Sequence, residues 1–123
     1  MNNKAISIRP FIGAKDYGRS RNFYRDLGFE EFVLSKDMSL FKTGSGQGFY
    51  LQNAYVEDWV NNTMVFLEVA DAELYRQSLA DLNLTTKYPE VRLTQVKQFD
   101  WGKECYLHDP SGILWHFGQF NKT

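Results

Sequence analysis

Four side chains equipped for chemistry, Arg9, Glu68, Glu104 and His116, stand in stretches where residue character alternates along the chain. Histidine titrates near neutrality as a residue type, which makes His116 a candidate general base. Glu104 or Tyr106 lies at a spacing that could orient its imidazole, and spacing identifies no second catalytic group. Arg9 carries a permanent positive charge on a planar fork of donors. Gathering such groups on a face that only packs a core is costly, because unpaired buried charge is. The face that holds them is therefore expected to be a ligand groove, or else an open solvated face or a set of internal ion pairs.

Putting these residues on one face requires strands, and the alternation supplies them. Ile6–Ile12 reads as a strand with Ile8, Pro10 and Ile12 on one side and Arg9 and Phe11 on the other. Pro10 cannot donate to a ladder, so this strand belongs at a sheet edge or exchanges with a partner. Asp16 is a candidate N-cap for a helix carrying Phe23, Tyr24 and Leu27, and Gly28 is its left-handed stop. Strands are expected near 29–35, 38–42 and 48–54, with a Gly-rich turn at 44–48 that lacks the ending of a phosphate loop.

The second half repeats this order. A strand at 63–69 precedes Asp71 as cap and a helical stripe of Leu74, Tyr75, Leu79 and Leu82. Strands follow near 91–98, 103–108 and 113–120, the last two joined by a tight turn at 109–112. Asp16 and Asp71 lie 55 positions apart, as do Asp26 and Asp81, Leu27 and Leu82, and Gly28 and Asn83. Asn is the other common residue at a left-handed helix stop. The chain is read as α+β, a single domain over 1–123 made of two tandem βαβββ modules at about 1–60 and 61–123. Their curved sheets are expected to surround a cavity.

Within each module one strand face meets the helix and the other is concave. Met64, Phe66 and Glu68 are expected on the concave side, and Met64 is the counterpart of Arg9. Tyr50, Gln52, Glu104, Tyr106, Leu114 and His116 should join them, whereas Trp115 alternates into the core. Trp59, beside Glu57 and Asp58, is placed at the lip of the groove.

Composition narrows the functional classes. Aromatic residues make up 16% of the chain, enough for a β-rich core or an aromatic pocket. A net charge of −1 gives no field toward nucleic acid or an anionic membrane. No apolar run reaches bilayer length, and the polar start shows no signal-peptide pattern, so a cytoplasmic setting is expected. Cys105 is the only cysteine, which excludes an internal disulfide and a thiolate cluster; a buried, inert thiol is expected.

The run Asp16-Tyr17-Gly18-Arg19-Ser20-Arg21-Asn22-Phe23-Tyr24, with Leu27-Gly28-Phe29, resembles the first strand–helix unit of the vicinal-oxygen-chelate superfamily. That superfamily includes glyoxalase I, extradiol dioxygenases and bleomycin-resistance proteins. The closing Trp101-Gly102-Lys103-Glu104, Leu107-His108-Asp109-Pro110-Ser111-Gly112 and His116-Phe117 resemble the bleomycin-resistance branch, as do the placements of Pro10 and Asn62-Thr63. Metal-dependent members hold a divalent ion at positions that fall here on Arg9, Gln52, Met64 and His116. Arg9 is no ligand, Met64 is a soft thioether, and two remaining donors make too small a set, so no metal is expected.

The resemblance implies a homodimer that sequesters a ligand at the subunit interface, with an exchanged N-terminal strand and with Trp101 stacking on planar rings. The expected ligand site comprises Arg9, Met38, Tyr50, Gln52, Trp59, Phe66, Glu68, Trp101, Glu104, Tyr106 and His116. Arg9 repels a cationic ligand unless Glu68 or Glu104 neutralises it. The reading is a metal-free, cofactor-free binder of a planar or amphiphilic small molecule. The alternatives are a cofactor-independent enzyme with His116 as general base, and a metalloenzyme with a rearranged site.

Overall fold

Caps and stops set where the chain turns. Asp16 is extended, at φ −127° and ψ 100°, and its carboxylate accepts a hydrogen bond from the Arg19 N–H. Gly28 ends the same helix at φ 104°, in the left-handed region that favours glycine. Asp71 accepts from the Leu74 N–H in the second half, and Asn83 adopts the left-handed conformation at φ 55°. Two of the four pairs set by the 55-residue offset, Asp16/Asp71 and Gly28/Asn83, therefore do the same local work.

The computed structural model describes residues 3–122. The first module runs β1 (Phe11–Gly13), α1 (Tyr17–Leu27), β2 (Glu30–Ser35), β3 (Met38–Gly44) and β4 (Gln47–Gln52). A short link, α2 (Glu57–Asn61), leads to the second module. That module runs β5 (Met64–Glu68), α3 (Ala72–Asp81), α4 (Leu84–Lys87), β6 (Arg92–Leu93), β7 (Lys97–Gln98), β8 (Gly102–His108) and β9 (Leu114–Phe120). The first sheet has the order β1-β4-β3-β2, and the second β5-β9-β8-β6 with β7 also on β8. In each, the first strand lies parallel to the last, and the remaining pairs are antiparallel. The architecture is α+β with two curved, open sheets.

One core serves both halves. Tyr24 of α1 packs against Phe49 of β4 at 4.9 Å and Trp115 of β9 at 5.8 Å between ring centroids. Phe23, Phe41, Leu107 and Phe117 belong to the same buried cluster. The Tyr24 hydroxyl donates to Asp109 Oδ2 at 2.6 Å and accepts from Trp115 Nε1 at 3.0 Å. Asp109 Oδ1 in turn accepts from the backbone N–H groups of Ser111, Gly112 and Ile113. Burial of these polar groups is tolerated because each has a partner. Outside the core, Arg19 meets Glu90 at 2.6 Å, and Asp26 accepts from Lys87 and Tyr88.

Four expectations are corrected. The predicted strand 6–12 is a strand only at Phe11–Gly13; residues 3–10 form no regular element, and Ile8 is 93% exposed rather than turned to the helix. The pairing of β1 with β4 begins where Pro10 O accepts from Tyr50 N–H, and among the described residues no strand pairs with those before it. The strand expected at 91–98 is broken into β6 and β7. Between them the Thr94 hydroxyl takes the Tyr106 N–H that a regular ladder would give to a carbonyl. Leu74 and Leu82 are exposed, so the buried stripe of α3 is Ala72, Tyr75 and Leu79 instead. Neither α2 nor α4 was foreseen, since a one-turn helix has too few residues for a period.

Candidate functional site

The predicted site residues do not form one enclosure within the chain. They fall into two groups, one on and around each sheet, here called the first and second half-sites.

The parallel ladder builds the first half-site. Phe11 of β1 lies opposite Tyr50 of β4, and their rings stack at 4.9 Å and 26°. The guanidinium of Arg9 lies 5.9 Å from the Tyr50 ring centroid, and its Nη1 donates to the phenol at 3.2 Å. Gln52 follows two residues after Tyr50 and is paired with Met38 across β3 and β4. Gln52 and Trp59 line a cavity of about 180 Å³ together with Phe11, Val56, Val60 and Thr63. Trp59 is 73% exposed.

The second half-site is richer in aromatic side chains and in internal hydrogen bonds. Glu104 is almost fully buried, and its Oε1 lies 2.9 Å from His116 Nδ1. A carboxylate can only accept, so Nδ1 carries the proton and Nε2 is the free ring nitrogen. The ring of Tyr106 stands edge-on to His116 at 4.9 Å. Hydrogen bonding to Glu104, with burial adding to it, raises the Tyr106 phenol above its ordinary value. Phe66 of β5 faces His116 at 6.3 Å and 27°. Its ring lies directly over Gly118, where an added Cβ would come within 2.3 Å of Phe66 Cζ. Trp101 meets Phe66 at 6.0 Å and Phe120 at 5.3 Å, and Phe99 stacks on Trp101 at 5.7 Å. Glu68, the last residue of β5, is exposed.

Sequence reasoning missed Phe99 and Phe120. Phe120 continues the alternation of His116 and Gly118 along β9 and was legible from it. Phe99 sits in the turn into β8, where alternation carries no signal. A third feature was also missed, a groove of about 410 Å³ at the junction of the modules, lined by Ile8, Pro10, Gln47, Phe49, Leu67 and Trp115 among others.

The donor set does not fit a divalent metal centre. The ladders set Tyr50 opposite Phe11 and His116 opposite Phe66, so Tyr50 rather than Gln52 is the counterpart of His116. Arg9 cannot ligate, Met64 is an exposed thioether, and the Nδ1 of His116 is held by Glu104. Among the described residues no group of three or more His, Cys, Asp or Glu side chains converges. Cys105 is buried within β8, and burial pushes its thiol up to about 11, which makes it inert at neutral pH. No helix of the described residues is long and apolar enough to cross a membrane.

Neither a family model nor a curated protein matches the sequence. Solved structures do match. A bleomycin-binding protein from Streptomyces verticillus, in complex with copper(II)-bleomycin, superposes with a TM-score of 0.80 at 21% identity, covering 97% of this chain and 99% of that one. A glyoxalase/bleomycin resistance protein from Catenulispora acidiphila gives 0.75 at 17% identity, over 95% and 100% of the two chains. A lactoylglutathione lyase from Agrobacterium tumefaciens gives 0.65 at 17% identity, over 95% and 96%. The chain has the glyoxalase/bleomycin-resistance fold, as the sequence resemblance implied.

Proposed function

We propose that this chain is a metal-free binding protein that holds a planar or amphiphilic small molecule in a groove completed by a second copy of itself. The observation that carries this reading is the exposure of aromatic side chains on both concave faces. Phe11 is 58%, Phe66 44% and Phe120 50% exposed; Phe11 stacks on Tyr50 beside Arg9, and Phe66 faces His116. Apolar surface of this kind, rimmed by polar residues, marks a ligand or partner site. The likeness to a protein solved with bleomycin bound supports the same use of the fold.

The partner supplies the missing wall. Ile6 and Ile8 are more than 90% exposed on an arm without regular structure, and that arm borders the apolar junction groove, which Ile8 and Pro10 line. An arm exchanged between two copies would satisfy both, in a cytoplasmic, homodimeric protein. Sedimentation of the full chain is expected to give a dimer that Ile8→Glu loosens; a strict monomer overturns the interface groove. Equilibrium dialysis against planar aromatic compounds is expected to show saturable binding that Trp101→Ala weakens, with the compound recovered unchanged.

The Glu104–His116 pair supports a second reading. An imidazole with its tautomer set by a buried carboxylate is arranged as a general base, as a cofactor-independent enzyme would need. Consumption of a bound compound that ceases in His116→Gln would establish it over simple binding.

A further inference from the structure

Arg9 is a cation whose surroundings do not neutralise it. Its Nη1 donates to the Tyr50 phenol at 3.2 Å, yet its Nε is buried without a hydrogen-bond partner. Among the described residues no carboxylate pairs with it, whereas Arg19, Arg21 and Arg25 on α1 all have a glutamate. Arginine does not escape such a position by losing its proton, and a buried donor left without an acceptor is unfavourable. The acidic groups of the other half-site do not resolve this. Glu104 is engaged by His116 of its own module. Glu68 is the remaining carboxylate on that face.

We propose that the ligand carries a carboxylate attached to a planar ring, and that Arg9 seats that carboxylate. A guanidinium matches a carboxylate in shape as well as charge, because two parallel N–H···O bonds fit the two oxygens. The ring is accommodated by the neighbouring aromatic surface. Phe11 and Tyr50 form a stacked pair beside Arg9, with Trp59 beyond Phe11 along the cavity wall. Gln52 opens on the same cavity, and its amide makes no hydrogen bond among the described residues, so it meets the polar edge of the ring. A cationic ligand would face repulsion from Arg9 at this position. The inference rests on the binding reading above and adds the charge of what is bound.

The test is equilibrium dialysis of the full-length protein against three probes of one shape: naphthalene-2-carboxylate, naphthalene-2-carboxamide and 2-naphthylmethylammonium. The carboxylate is expected to bind at least tenfold more tightly than the amide, with the ammonium weakest, as a charge-assisted bond predicts. Arg9→Gln should bring carboxylate and amide to equal affinity, and Arg9→Lys should restore part of the preference. The wild-type preference order needs no variant, so it stands even if Arg9→Gln folds poorly. Equal binding of all three probes, or preference for the ammonium, overturns the inference and leaves the binding reading intact. Saturable binding of none of them overturns both. A further outcome assigns Arg9 elsewhere: if Arg9→Gln and Glu68→Gln each dissociate the dimer, the guanidinium serves an ion pair between copies and the inference fails.

Discussion

Phe11 and Phe66 occupy equivalent places in the two modules, each opposite an aromatic or heteroaromatic ring on the parallel partner strand. The surroundings of the two rings diverge. Phe11 stacks on Tyr50 beside a guanidinium with an unused donor, whereas Phe66 faces an imidazole already bonded to a buried glutamate. Small residues are exchanged as well: the ladder pairs Gly13 with Gln52 in one module and Glu68 with Gly118 in the other. Duplication has kept the backbone register and left the side chains free to differ. The second module presents a finished polar network under an aromatic cover; the first presents an unpaired charge beside an aromatic floor.

The modules also differ in how their last hairpin is held, and the largest expected effect lies there. The β8–β9 turn is anchored by Asp109, while the β3–β4 turn at Ser45-Gly46 has no buried carboxylate. Asp109→Ala would strand the Tyr24 hydroxyl and the backbone N–H groups of Ser111 and Ile113, while the Gly112 N–H keeps the Asp109 carbonyl, at a cost of roughly 3 kcal/mol. Urea unfolding measures this. A loss below about 1 kcal/mol would mean that the aromatic core alone joins the halves.

The same carboxyl gives the modules opposite pH dependence. Burial pushes Asp109 up from 3.8 to about 6, although bonds from Tyr24 and the backbone oppose the shift. A group that holds its proton more tightly when folded contributes fully below about 3.8, and that contribution is lost as pH rises through about 6. Glu31 in the first module behaves in the other sense. Burial raises its carboxyl, but bonds from Arg21 and Ser39 and the charges of Arg21 and Arg25 outweigh burial and hold it below its ordinary 4.5. Its contribution is present above about 4.5 and disappears as pH falls through its lowered value. Thermal melts across this range should show Asp109→Asn removing the loss toward pH 6. Glu31→Gln should remove the loss in acid, by up to about 1 kcal/mol as for partly exposed pairs.

Between these in size is Gly118→Ala. Its Cβ would collide with Phe66, so the ring must swing away or the strand must shift, for about 1–3 kcal/mol. If stability is unchanged, Phe66 moves freely and the second half-site is adaptable rather than preformed. The smallest effects are on affinity alone. Phe66→Ala and Phe11→Ala should each weaken binding of a planar carboxylate by about tenfold, comparable to loss of an aromatic contact. Dialysis that shows loss in only one variant would assign the ring to one module.

Much of this was legible beforehand for local reasons. Asp16, Gly28, Asp71 and Asn83 act through hydrogen bonds and dihedral angles within a few residues, so their types announce their roles. Alternation likewise put Trp115 in the core and Tyr50, Gln52, Glu104, Tyr106 and His116 on the concave faces, because strand periodicity follows from the backbone alone. What parity could not say is which faces meet. It offered a single inward set, and only the strand pairing, which forms two separate sheets, divides that set into two groups. The pairing of His116 with Glu104, the ring of Phe66 over Gly118 and the unpaired Nε of Arg9 are distances between residues far apart in the chain. Those distances come from sheet register and from a shared core, which are properties of the whole fold. The sequence by itself determined the elements, their duplication and the residue types facing inward; the tertiary structure decided which of those residues are satisfied and which still lack a partner.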